Sequence, residues 1–208
     1  MLASGTVRNA QRTRERLLQA AFREIHRSGF RAMDLKSLLQ QAGVTKGALY
    51  HHFVSKQALG YAVVEDVIAP ITREQWLRPL QACLNPVDAL IGIVLATSLR
   101  PEDVRCGCPL NNLSQEMATL DEGFRHRTAQ VFADWHAGIA AALERGQGRG
   151  LVRPELDPGA AATHLIALYE GYLSLAKNAR QVRVLQSGQR SMIDYLQSLR
   201  VPPAAPGA

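Results

Sequence analysis

The stretch LKSLLQQAGVTKGALYHHFVSKQAL, Leu35 to Leu59, reads as two short helices joined by a tight turn, with a third helix opening at its end. Leu35, Leu38, Leu39 and Ala42 recur at the i, i+3/i+4 spacing of a helix with one apolar face. Asp34, Thr45 and Ser55 each stand where a helix N-terminus wants a side-chain acceptor, and Gly43-Val44 makes the turn. The helix from Lys46 to His52 is about 8 residues, or roughly 12 Å, a length that lies in the major groove of DNA. Its start carries Thr45, Lys46 and Gly47, where free N–H groups and a partial positive charge face outward and suit phosphate. Gly47 allows close backbone approach, and Lys46 reaches a guanine edge or a phosphate. Tyr50 and His51 add donors one turn later, and Lys56 is spaced to meet the flanking phosphate. Tyr50 has the alternative of packing inside the head, and His52 reads as a packing or solvent residue. Ala42, Val44, Leu49 and Phe53 are the apolar members that hold the unit together.

Upstream, Leu17, Leu18, Ala21, Phe22 and Ile25 form another helical stripe, which Gly29 ends. Residues 1–60 hold ten Lys/Arg and three acids, a balance of +7. The other 148 residues hold 14 bases and 15 acids, so the whole net charge sits in this head. A basic head on a neutral body points to a polyanion, the alternative being a solvated basic face. Arg8, Arg12 and Arg14 are either a phosphate or minor-groove arm or a solvated basic end.

Downstream, the spacing predicts a fourth helix with Leu59, Ala62, Val63 and Val67, which Pro70 should break or kink. Further helices are expected at roughly 86–99, 108–120, 122–146, 157–178 and 188–200, with Gly146 to Gly150 as a loop. The expectation is an all-α chain of about nine helices. A head over 1–55 carries the helix-turn-helix, a body over 56–200 senses an effector and dimerises, and the tail 201–208 is disordered. Charged residues make up 20% and apolar residues 47% of the 208, as in soluble globular proteins. The apolar run Leu90 to Thr97 is too short to cross a bilayer, and Met1 to Ala10 lacks a secretion signal. Three cysteines, an odd number, suit a reducing cytoplasm. No nucleotide loop, zinc-ligand spacing or Ser/His/Asp constellation is present, so no cofactor, no metal and no enzymatic activity are expected, a small helical enzyme with a basic nucleic-acid-binding head being the alternative of a different class.

Gly29-Phe30 and Leu35 to Leu59 together closely resemble the DNA-binding domain of TetR-like (tetracycline-repressor-type) regulators, over about 30 residues in the right order and place. The resemblance implies a homodimer whose two recognition helices read a palindromic operator in double-stranded DNA, most simply as a repressor, with an activator as the alternative. Thr45, Lys46, Gly47, Tyr50 and His51 would face the DNA and Lys56 would grip its backbone. Where the family places Ser or Thr near the start of helix two, this chain has Met33-Asp34, so no phosphate contact is assigned there.

In the body, the resemblance implies a four-helix dimer interface made by the last two helices, with Ala161, Leu165, Leu168, Tyr172, Ile193, Leu196 and Leu199 as candidate contacts. It also implies a small-molecule effector. Candidate pocket residues are Trp76, Asn111, Met117, Trp135 and Tyr169, with Phe124 and Phe132 and the polar Asn112, His136, His164 and Glu170 nearby in the reading. Ordinary core is the alternative for each. The segment Arg105 to Glu116 holds a Gly-Cys followed by Leu and Ser-x-Glu, and resembles a TetR-like subgroup in which some members respond to oxidants through that cysteine. Cys108 stands at the matching position, at a helix start that favours a thiolate. Lys177 lies where this subgroup can place a lysine near the thiol, with Arg105 as the local alternative. A small buried cysteine is the plain reading of Cys108.

Overall fold

A computed structural model of the chain describes residues 3–202, with side chains for residues 9–101 and 103–202. The expectations for the Arg8 side chain and for tail residues 203–208 lie outside the described residues. The fold is all-α: α1 Ala3–Ser28, α2 Leu35–Ala42, α3 Lys46–His52, α4 starting at Lys56 and continuing helically to Gln81, α5 Pro86–Leu95, α6 Pro101–Cys106, α7 Pro109–Met117, α8 Glu122–Gly148, α9 Pro158–Ala179 and α10 Val182–Ser198. Among the described residues, extended pairing is confined to an isolated bridge between Val152 and Arg200. The short α6 is an addition to the expected helices. Pro101 opens it at the first helical turn, where a missing N–H costs nothing, rather than merely ending α5.

The chain forms two compact units, 1–71 with 109–130, and 72–108 with 131–208. This departs from the expected cut near residue 55. The first unit extends into α4 and takes in α7 and the beginning of α8. Its core joins Leu17, Leu18, Ala21 and Ile25 of α1 with Leu38 of α2, Leu49 of α3, Phe53 and Leu59, all buried. Phe124 of α8 packs on Phe30 and Tyr61 at 4.6 and 4.9 Å between ring centroids. Gly60 makes this possible, since a Cβ there would stand 2.5 Å from Phe30 and 2.6 Å from Phe124. Phe124 and the buried Met117 therefore belong to the core of this unit rather than to a sensing pocket.

Proline does not end α4. Ala69 N–H bonds to the carbonyl of Val64 and Arg78 N–H to that of Arg73, five residues back in each case. Each widened turn closes just ahead of a proline, Pro70 or Pro79. A proline has no N–H to give and its ring crowds the carbonyl four residues back, so widening the turn relieves the crowding and keeps the helix.

In the second unit Trp76, Trp135 and Tyr169 form a buried aromatic core, with centroids 4.7 Å (Trp76–Trp135), 4.9 Å (Trp76–Tyr169) and 5.8 Å (Trp135–Tyr169) apart. Two helix boundaries differ from the sequence expectation, each beside a closely packed glycine. Gly146 is inside α8, where a Cβ would strike Pro86 and Val152, so the expected loop begins only after Gly148. Gly188 lies inside α10 beneath the Tyr172 ring, and the helix starts at Val182 rather than near 188. Of the candidate dimer contacts, Ala161, Leu165, Leu196 and Leu199 are buried in the chain's own core, while Leu168, Tyr172 and Ile193 stay half-buried.

Candidate nucleic-acid interface and sensing core

Local chemistry builds the helix-turn-helix. Asp34 accepts from the N–H groups of Lys36 and Ser37 at 3.1 and 3.0 Å, and these bonds hold its carboxyl below the usual range. Gly43 closes α2 with φ +61°, a conformation that side chains with a Cβ resist. Thr45 accepts from Ala48 N–H at 3.2 Å and opens α3. Ser55 accepts from Ala58 N–H at 2.9 Å and opens α4.

The short α3 is anchored by one buried residue, Leu49, with Ala48 and His52 half-buried and the remaining side chains exposed. Thr45, Lys46, Gly47 and His51 are exposed, and Tyr50 is 44% exposed rather than packed inside the head. The Lys46 ammonium lies 5.9 Å from the Tyr50 ring centroid. A groove of about 330 Å³ runs between α2 and α3, with Leu35, Leu39 and Leu49 as its floor and Lys36, Lys46 and Tyr50 around it. An apolar floor with a basic rim suits base edges, including thymine methyls, beside phosphate. His52 is half-buried against His51, and burial, with the charges of His51 and Arg14, lowers its pKa.

Lys56 and Arg14 both make contacts within the first unit. The Lys56 ammonium donates to the carbonyls of Arg31 and Met33 at 3.1 and 2.9 Å and lies 5.2 Å from the Phe30 ring centroid. Arg14 pairs with Asp66 at 2.5 Å and covers the Phe53 ring, so it is tied into the first unit rather than held out as an arm. Arg12 stays exposed, in a second groove with Arg16 and Arg23 along α1.

The sequence reading missed two carboxylates that organise this unit. Glu116 accepts from Phe30 N–H at 2.7 Å and Arg31 N–H at 2.8 Å. Asp121 accepts from the Tyr61 hydroxyl at 2.7 Å, from Phe124 N–H at 2.9 Å and from Gln57. The Tyr61 bond, then the Phe124 bond, hold the Asp121 carboxyl below the usual range, and the same contact raises the Tyr61 hydroxyl. Arg127 lies over the Tyr61 ring at 4.2 Å and pairs with Glu65 at 2.7 Å.

In the second unit Cys108 is half-buried and directly precedes Pro109, the first residue of α7. Cys83, Cys106 and Cys108 form no disulfide with one another. The Tyr169 hydroxyl accepts from Gln75 at 3.1 Å. Burial, reinforced by the negative charge of Cys108 as thiolate, pushes that hydroxyl up to about 12. Lys177 is half-buried in the last turn of α9. The structure thus brings Trp76, Trp135 and Tyr169 together and places Cys108 in the same unit, within electrostatic reach of Tyr169, while Asn111 and Met117 belong to the first unit. Among the described residues no cluster of three or more His, Cys, Asp or Glu could hold a metal ion, and no helix is long and apolar enough to cross a membrane.

Two family models match the chain. Residues 17–63 match bacterial regulatory proteins of the tetR family, and residues 83–192 match the tetracyclin repressor-like C-terminal domain. The chain is 32% identical over 162 residues to the A-factor receptor protein of Streptomyces griseus, covering 77% of this chain and 53% of that one. A TetR transcriptional regulator from Chloroflexus aurantiacus superposes with a TM-score of 0.83 at 29% identity, over 94% of this chain and 100% of that one. Escherichia coli NemR in its reduced form superposes with a TM-score of 0.77 at 28% identity, over 93% and 100%.

Proposed function

Since the chain belongs to the tetR family of bacterial regulatory proteins, we propose that it is a cytoplasmic homodimeric repressor that reads a palindromic operator with α3 and leaves it when its body is engaged. The observation that carries the reading is α3 itself, which buries Leu49 and presents Thr45, Lys46, Gly47, Tyr50 and His51 outward. The caps at Asp34, Thr45 and Ser55 fix this presentation before any DNA arrives, so little ordering is needed on binding.

The outer face of α9 supports pairing through the last two helices. Its exposed residues include Thr163, His164, Ala167, Gly171, Ser174 and Leu175, with no Lys, Arg, Asp or Glu exposed along the helix. A solvated helix face is ordinarily charged, and depletion of charge marks the centre of an interface.

The experiment is to sequence the genomic fragments that the purified protein retains, then to compare the recovered site with a scrambled duplex. Tyr50→Ala changes no charge. It is expected to lower the preference for the recovered site by about 1–3 kcal/mol and to leave the scrambled duplex unaffected. Equal affinity of the wild type for both duplexes would reduce the head to a charge sink.

We infer that release acts through the second unit, which holds both the aromatic core and Cys108. Either a small-molecule effector or modification of the Cys108 thiol would act there, provided it favours one of two arrangements of α4. Cys108→Ser is expected to bind the recovered site like the wild type and to stay bound under a mild oxidant that frees the wild type. Normal release by that variant leaves the reversible effector as the signal.

A further inference from the structure

The turn between α1 and α2 is gripped from two sides. Glu116 of α7 takes the N–H groups of Phe30 and Arg31, one carboxylate oxygen each. Lys56, at the start of α4, takes the carbonyls of Arg31 and Met33. Arg31 therefore has its amide held by a carboxylate and its carbonyl by an ammonium. Gly29 has φ +87°, and a Cβ there would stand 2.8 Å from a Glu116 oxygen. A left-handed residue followed by two converging N–H groups makes a concave donor pair that takes an anion. The carboxylate also stands just past the C-terminus of α1, the end whose dipole opposes a negative charge. Its place there is set by the two amides.

We propose that Glu116 is a positioning residue for operator reading. By fixing the Phe30–Arg31 turn it sets where α2 begins and hence how α3 is presented, although it lies outside the helix-turn-helix and is not among the groups facing DNA. The inference rests on the DNA-reading function. If the wild type selects no duplex from a random-sequence pool, that function fails before any variant is tested.

The test uses the full-length protein, the tightest duplex that the wild type selects from such a pool, and a scrambled duplex of equal length. Glu116→Gln removes a negative charge, so electrostatics alone would tighten binding to both. The expected result is the opposite for the selected duplex, about tenfold weaker, with the scrambled duplex bound as well as by the wild type or slightly better. Amide exchange at Phe30 and Arg31 should accelerate in the same variant. Glu116→Asp keeps the charge but is one methylene shorter, and should lie between. Affinity for the selected duplex within twofold of wild type, or equal losses on both duplexes in a folded variant, would overturn the proposal. If circular dichroism shows Glu116→Gln unfolded, Glu116→Asp decides by the same comparison.

Discussion

Leu175→Glu is expected to yield a monomeric protein that binds a two-half-site operator about 10²–10⁴-fold more weakly than the wild type. Leu175 is 59% exposed on the uncharged face of α9, four residues from Gly171 and eight from Ala167. Two copies packed through this face would bury the new carboxylate with no Lys or Arg exposed on the same helix to meet it. The DNA effect follows from linkage. In a dimer the second head binds at the high local concentration set by the first, whereas a lone head has only its own short α3. Light scattering after size exclusion reads the assembly state, and binding to single and paired half-sites reads the linkage. An intact dimer at micromolar concentration would move the interface away from α9.

Trp135→Ala should cost about 3–5 kcal/mol of stability, the range for removing a large buried aromatic. Trp135 is only 2% exposed and touches the rings of Trp76, Tyr169 and Phe132. That loss is comparable to the whole stability of many domains. Urea unfolding followed by far-ultraviolet circular dichroism measures it, at one fixed protein concentration because dimerisation adds to apparent stability. Trp76, the other tryptophan in the chain, then reports on the same core alone. A loss under 1 kcal/mol would mean that the core refills the space.

What the sequence revealed is what neighbouring residues decide. Asp34, Gly43, Thr45 and Ser55 act on backbone groups within a few positions, so the helix-turn-helix and its outward face could be read from spacing. Glu116 and Phe30 are 86 positions apart, and no local pattern couples a carboxylate to two amides at that range. The bonds of Lys56 to the Arg31 and Met33 carbonyls span 25 and 23 positions and are hidden from spacing for the same reason. Gly146 looks like a break, yet it is a place where Pro86 and Val152 need the room a Cβ would take. Buried dimer candidates such as Leu165 and Leu196 were misplaced for a related reason: helical periodicity gives the apolar face but not which neighbour covers it.

The two prolines of α4 have a mechanical consequence. Each leaves a rung missing from the ladder of bonds, so the helix is most compliant at and between them. That length carries Gln75 and Trp76, the two α4 residues that meet Tyr169. A molecule wedged into the aromatic core, or a bulkier sulfur at Cys108, would thus lean on the segment least able to resist. Pro70 and Pro79 would act as paired fulcrums, yielding under a load that an unbroken helix would spread along its whole length.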